Sequence, residues 1–214
     1  MEKKVFDNCL KNALNEMRIF YHSGLPDYNV KPFDPHYGKF IEQRRGDAGT
    51  GLFGYKLVLS DVYEYGWADS KITSLRTDPE NDRFVYSQYF GNKSLTGNYD
   101  FRARILGAPI HTKGSWNLVL GDYSQTTSVK RTNGPNSLLK INVEVDQIGK
   151  MSLHISDLFN GRKQLENVMD FLINAAWQPS LVFVKPLIND LVSTAFTDIF
   201  NESFRYFPVH EIIH

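Results

Sequence analysis

The chain has 214 residues, with Lys+Arg 24 balanced by Asp+Glu 24, so its formal net charge is zero and its pI is near 7.0. That balance, with no charged tail at either end, argues against a nucleic-acid binder, and the single cysteine, Cys9, excludes an internal disulfide framework or a cysteine-rich zinc site. Hydrophobic residues make up 42% and aromatic residues 14%, a globular composition with more aromatic surface than a core of this size needs.

The chain opens Met1-Glu2-Lys3-Lys4 with no apolar run, so a signal peptide is expected to be absent or already removed. Val5, Phe6, Cys9, Leu10, Ala13, Leu14, Met17 and Phe20 recur at spacings of three and four, which predicts an amphipathic helix over 5–21, closed by Gly24 and Pro26. On that face Cys9 reads as a small buried hydrophobe rather than a reactive thiol. Pro26, Pro32 and Pro35 hold an extended segment from Leu25 to Tyr37, and Arg44 to Gly51 reads as a polar, glycine-rich turn.

From Phe53 the period changes to two. Alternating runs recur at Tyr55–Ser60, Val62–Trp67, Lys71–Arg76, Phe84–Phe90, Tyr99–Leu106, Ser115–Leu120, Leu138–Val145 and Met151–Ile155. Turn signals separate them, among them Asp78-Pro79, Gly91-Asn92, Gly107, Lys113-Gly114, Gly121-Asp122, Asn133-Gly134-Pro135 and Gly149. An antiparallel meander with one buried face is predicted.

Two helical stripes close the chain: Leu165, Val168, Met169, Leu172, Ala175 and Ala176, then Val184 through Phe200, with Pro179 and Pro186 expected at the boundary and in the first turn of the second helix. Asn167, Asp170, Asn174, Lys185, Asp190 and Asp198 interrupt this region too often for a membrane span, so no stable membrane insertion is expected. A last helix from Leu181 to Tyr206 would be roughly 39 Å long, and strands packing on it must curl around it. With no repeat or linker, residues 1–214 read as one domain.

Chemical motifs are few. His210-Glu211-Ile212-Ile213-His214 matches the helical zinc-hydrolase pattern, which makes a zinc hydrolase the alternative from another class. Pro208 just before it and the chain end just after it favour a solvated tail. Gly49-Thr50-Gly51-Leu52-Phe53-Gly54 matches the dinucleotide fingerprint in letters, but a strand follows where a helix is required. Asn92-Lys93-Ser94, expected in a turn, and Asn201-Glu202-Ser203, expected in the last helix, are glycosylation sequons. No catalytic constellation, metal site or cofactor site stands out, so no enzyme activity is expected. The aromatic residues on strands and helices can instead wall a channel between a curled sheet and a long apolar helix, where a hydrophobic ligand would bind.

Several segments, in this order, resemble the takeout and juvenile-hormone-binding protein family of insects. Cys9-Leu10 opens the first helix, followed by Gly24-Leu25-Pro26, Pro32-Phe33-Asp34-Pro35, Leu95 to Asp100, Leu118 to Asp122, and Ile148-Gly149-Lys150-Met151. Asp157-Leu158-Phe159-Asn160-Gly161, Leu165 through Trp177, and Pro186 to Phe207-Pro208 complete the pattern. The resemblance implies an α+β fold in which a strongly curved antiparallel sheet wraps a long C-terminal helix and encloses a hydrophobic tunnel. It implies a secreted, non-enzymatic haemolymph carrier of juvenile hormone, another terpenoid, a fatty acyl chain or a carotenoid, with protein partners unspecified. A long polyene pigment is the alternative within that class. It also implies a cysteine partner for Cys9 a few residues upstream. None of Glu2 to Asn8 is cysteine, so either the partner lies outside this chain or the first helix is freer to move. Tyr86, Phe90, Tyr99 and Trp116 from strands and Phe171, Trp177, Leu191, Ala195 and Phe196 from helices are the candidate tunnel wall, on alternation and periodicity.

Overall fold

The computed structural model describes residues 3–28, 30–46, 53–131, 137–159 and 162–204. Helix α1 (Lys3–Glu16) leads through two short 3₁₀ turns into strands β1 (His36–Gly46), β2 (Phe53–Tyr65), β3 (Lys71–Asp78), β4 (Arg83–Ile105), β5 (Ala108–Arg131) and β6 (Leu139–Ile155), and helix α2 (Lys163–Phe204) follows. The six strands form one antiparallel sheet in the order β1-β2-β4-β5-β6, with β3 paired to the first part of β4.

The strands are fewer and longer than their turn signals predict. Gly91-Asn92 lies inside the 23-residue β4, Lys113-Gly114 and Gly121-Asp122 inside the 24-residue β5, and Gly149 inside β6. Several of these signals mark places where the inward face changes parity instead of where the chain reverses. In β4 the buried residues are Tyr86, Gln88 and Phe90, then Lys93, Tyr99 and Ala103; in β5, Val129, Thr127, Gln125 and Tyr123 give way to Leu120. Gly121 pairs with Asn92, so the parity changes of β4 and β5 lie side by side and make a waist in the sheet, with Asp122 at φ 50°; Asp61, at φ 51°, and the register shift at Ser60/Tyr63 make a separate irregularity in β2. Bulges of this kind bend and twist strands without ending them. One consequence is that Asn92 sits exposed within a strand, paired with Gly121, not in a turn.

Strand β1 occupies part of what reads in sequence as an extended segment and a polar turn. Its Lys39, Glu42, Arg44 and Arg45 are edge-strand residues, whose charge discourages pairing with another chain and also masks the period-two signal.

Helix α2 is continuous for 42 residues, about 63 Å, with Pro179 and Pro186 inside it and not at a boundary. Each proline frees the carbonyl four residues earlier, on Ala175 and Val182, both exposed, so water replaces the lost bond. By length and composition the helix is long and apolar enough to cross a membrane, which the interruptions were expected to preclude. Two of those polar residues, Asp170 and Asn174, turn instead toward β6.

They do so in register with the strand. The N–H groups of Leu139, Ile141, Val143 and Val145 donate to Asn201 Oδ1, Thr197 Oγ1, Ser193 Oγ and Asn189 Oδ1 at 2.8, 3.3, 2.8 and 3.0 Å. The pattern resumes where Leu153 and Ile155 donate to Asn174 and Asp170. Four helical residues advance about 6 Å and two strand residues about 6.8 Å, so one row of side chains can serve alternate backbone groups for several rungs. The β6 edge is thereby closed by helix side chains. Helix α1 treats β3 in the same way: Asn15 and Ile72 exchange two bonds of 2.9 Å, and Thr77 donates to Asp7 through both its N–H and its hydroxyl. To do this α1 turns Asp7, Lys11 and Asn15 partly inward and leaves Cys9 exposed, contrary to the buried position its spacing suggests. At the opposite edge of the sheet, Gln43 donates to Leu187 O and Arg45 pairs with Asp190. Because α2 reaches both β1 and β6, the sheet curls around it without closing.

Candidate ligand-binding site

Two apolar clusters fill the concave side. The first joins Trp67, Ile72, Leu75, Tyr86, Phe90, Leu120, Tyr123 and the β6 residues Leu139 to Val145 with Phe196 of α2. Its rings are in close contact: Phe90 is fully buried, and Trp67 lies 5.2 Å from Phe90 and 5.5 Å from Phe196 between ring centroids. Gly66, at φ +98°, makes the turn that inserts Trp67, and a side chain there would come within 2.4 Å of Asn92 O.

At the waist a cation enters this aromatic cluster. The Lys93 ammonium lies 4.3, 4.1 and 5.4 Å from the ring centroids of Trp67, Phe90 and Tyr123 and 2.5 Å from Glu64 Oε1. Burial holds its pKa below the usual lysine value, against the pull of Glu64 and Asp34. The pair is electrically neutral and sits between the two clusters.

The second cluster is half open. Leu59, Val62 and Tyr99 are its buried residues, ringed by the partly exposed Ile41, Leu57, Phe101, Trp116, Ile155 and Leu191. Met169, Ile173, Trp177 and Leu181 of α2, also half-buried, share the helix surface beside Asp170 and Asn174, which tie the helix to β6 there. Polar groups lie among the apolar ones. Tyr99 Oη donates to Ser156 O at 2.7 Å and accepts from Thr112 Oγ1 at 2.9 Å, and burial pushes its pKa up, so it stays a neutral phenol. Trp116 crosses over Gly97, its strand partner, and its indole Nε1 is buried without a hydrogen-bond acceptor among the described residues. A buried donor left unpaired costs stability unless something from outside the protein satisfies it.

The nine candidate wall residues are therefore divided. Tyr86, Phe90 and Phe196 pack together in the closed first cluster, and Tyr99, Trp116 and Leu191 meet in the half-open second one. Trp177 and Ala195 are half-buried on α2. Phe171 points away from the sheet and is 71% exposed, because Asp170 and Asn174 bind β6 and so turn position 171 outward. Sequence reasoning missed Leu57, Leu59 and Phe101 as neighbours of Trp116, and it missed the series Asn189, Ser193, Thr197 and Asn201. A four-residue repeat of small hydrogen-bonding side chains on an apolar helix was the available signal. Asn201, whose Nδ2 donates to Leu139 O and Thr197 O, is spent on this series and is not a free sequon. The Gly49–Leu52 stretch and His210, Glu211 and His214 lie outside the described residues. Two further surface clefts, of 430 and 540 Å³, are lined mostly by charged and polar residues such as Asp78, Arg83 and Lys130, and Glu42, Arg44 and Asp190.

A long helix laid along a curled, unclosed antiparallel sheet, with apolar side chains between them, defines a recognisable class. The crystal structure of Takeout 1 from Epiphyas postvittana shares the fold, with a TM-score of 0.62 over 96% of this chain and 94% of that one at 20% identity. The chain belongs to the haemolymph juvenile hormone binding protein family, whose model matches residues 2–214. It is also similar to the circadian clock-controlled protein daywake of Drosophila melanogaster, 24% identical over 217 residues covering 96% of this chain and 83% of that protein, and to daywake of Drosophila yakuba, 23% identical over 229 residues with the same coverage.

Proposed function

We propose that the protein is an extracellular carrier that holds a lipophilic small molecule between the second apolar cluster and the sheet-facing side of α2 from Met169 to Leu191. The observation that carries this reading is the half-open cluster around Trp116, Phe101 and Leu57, whose apolar surface and unpaired indole N–H are together suited to a largely apolar ligand bearing one acceptor oxygen. Removing about 400 Å² of ligand surface from water gives on the order of 10 kcal/mol before association costs, enough for micromolar or tighter binding. Terpenoid esters such as juvenile hormone, other isoprenoids and fatty acyl chains fit that description. Tyr99, Trp116, Trp177 and Leu191 are the proposed contacts, with Ala195 at the margin and Tyr86, Phe90 and Phe196 as the wall the ligand meets. Membership of a haemolymph family supports the extracellular setting.

A longer, extended ligand is the second reading. It is favoured by α2 running unbroken beside both clusters, so a polyene could follow the helix if the Phe90–Trp67–Phe196 packing parts. Native mass spectrometry of the purified chain, with organic extraction and absorbance, tests both. A co-purifying terpenoid or acyl chain supports the first and visible absorbance the second. No bound lipid, together with no binding of terpenoid, fatty-acid or carotenoid probes, overturns the carrier reading.

A further inference from the structure

Two buried side-chain atoms of opposite sense have no hydrogen-bond partner among the described residues and lie close to Ile155: Trp116 Nε1, a donor, and Glu166 Oε1, an acceptor. Trp67 Nε1 and Lys93 Nζ belong instead to the closed aromatic cluster, where Lys93 is paired with Glu64, and Arg104 alternates to the other face of β4 from Tyr99 and Ala103. Trp116 is the β5 partner of Ile155, and Asp170 accepts the N–H of Ile155. Glu166 stands one turn before Asp170 on the same face of α2. The rungs between helix and strand join Asn174 to Leu153 and Asp170 to Ile155, so the next rung brings Glu166 to Asp157. Glu166 Oε1 is left without the donor that Asn174 and Asp170 find. Tyr99, which donates to Ser156 O, completes the corner: burial raises its pKa, and the carboxylates of Asp157 and Glu166 raise it further.

Glu166 is 7% exposed and belongs to the first turn of α2, where the helix dipole favours a negative charge. The dipole accounts for a carboxylate at this position, but it gives Oε1 no proton donor. Leaving a buried carboxylate oxygen unpaired costs more than leaving a neutral indole N–H unpaired, so Glu166 discriminates more strongly than Trp116 among possible ligands. An ester or ketone offers acceptors alone and serves only Trp116. An ammonium offers donors alone and serves only Glu166, and a carboxylate is repelled by it. A hydroxyl donates and accepts on one oxygen.

We propose that the ligand is a lipophilic alcohol, whose hydroxyl donates to Glu166 Oε1 while the same or an adjacent oxygen accepts from Trp116 Nε1. This inference rests on the carrier reading above and narrows it: the apolar chain lies in the half-open cluster along α2 toward Leu191, and the hydroxyl end lies at the first turn of the helix.

Fluorescence displacement on the full chain tests it with farnesol and hexadecanol, each beside its methyl ether, and with farnesylamine. In at least one chain series the alcohol is expected to bind about tenfold more tightly than its ether, which keeps the acceptor oxygen but has no O–H. Trp116→Phe should weaken alcohol and ether alike and leave that ratio unchanged. Glu166→Gln, which keeps the shape of the side chain but not its charge, should reduce the ratio to about threefold, and Glu166→Leu should abolish it. A preference due only to the bulk of the ether methyl group would survive both. Circular dichroism and thermal midpoints show whether each variant is folded, and the wild-type ratio needs no variant. Equal binding of alcohol and ether by the wild type in both series, an undiminished ratio in folded E166Q and E166L, or tighter binding of farnesylamine than of farnesol overturns the proposal and leaves the carrier reading standing. Failure of every probe to bind overturns the carrier reading, and this inference with it.

Discussion

The side-chain amide of Asn174 and the backbone of Leu153 exchange two hydrogen bonds, Leu153 N–H to Oδ1 at 2.8 Å and Nδ2 to Leu153 O at 2.9 Å. An asparagine carries one donor group and one acceptor in the same plane, so it can occupy a free strand edge as a neighbouring strand would. Asn15 does the same for Ile72, and Asn201 for Leu139. Helices in this fold stand where further strands would otherwise dock.

Asn174→Ala leaves a partly buried N–H and C=O of Leu153 without those partners. It is expected to lower stability by about 1–3 kcal/mol in urea unfolding. The amide of Leu153 should also lose hydrogen-exchange protection, while that of Val143, bonded to Ser193, keeps it.

Trp116→Phe preserves most of the ring and removes the indole N–H. If that N–H meets a ligand oxygen, a terpenoid ester should bind about threefold to tenfold more weakly, the worth of one hydrogen bond, and a hydrocarbon of the same length should bind as before. Fluorescence displacement with the two probes distinguishes these outcomes.

Lys93 and Glu64 stand or fall together. Lys93→Met strands a buried carboxylate and is expected to cost about 3–5 kcal/mol in urea unfolding, and adding Glu64→Gln should recover most of that loss.

Alkali should unfold the protein through its buried tyrosines. Burial raises the pKa of Tyr86 and of Tyr123 far above the ordinary tyrosine value. The folded chain therefore keeps protons that the unfolded chain gives up, so this contribution to stability is complete below pH 10 and is lost as pH rises above it. Lys93 acts oppositely: its depressed pKa makes its buried charge a penalty that fades as pH climbs toward 10.5. Two tyrosines against one lysine give a net fall above pH 10. A pH series of thermal midpoints should show that fall, made shallower by Tyr86→Phe.

Cys9 is exposed on α1. It is expected to react with a thiol reagent in the native protein as completely as in denaturant, with no cooperative unfolding step needed. Protection until unfolding would show that α1 packs differently.

The amphipathic ends, the period-two middle and the order of the family's segments were legible in the sequence because burial on one face leaves a periodic trace. Strand number was not. A glycine or aspartate that reverses a chain and one that bulges it look alike, as Gly121-Asp122 shows, and a neighbour decides between them. The inward face of α2 was also ambiguous, since Phe171 and Trp177 are equally apolar and only the bonds from Asp170 and Asn174 to β6 orient the helix.

By itself the sequence determined an α+β chain, the aromatic surplus and the absence of a cysteine framework. Tertiary structure alone decided how that surplus is spent. Phe90 and Phe196 close one cluster, Trp116 and Phe101 leave the other half open, and Phe171 and Phe183 go outside. Composition counts apolar side chains, but whether each one meets protein, ligand or solvent depends on contacts between residues far apart in the chain.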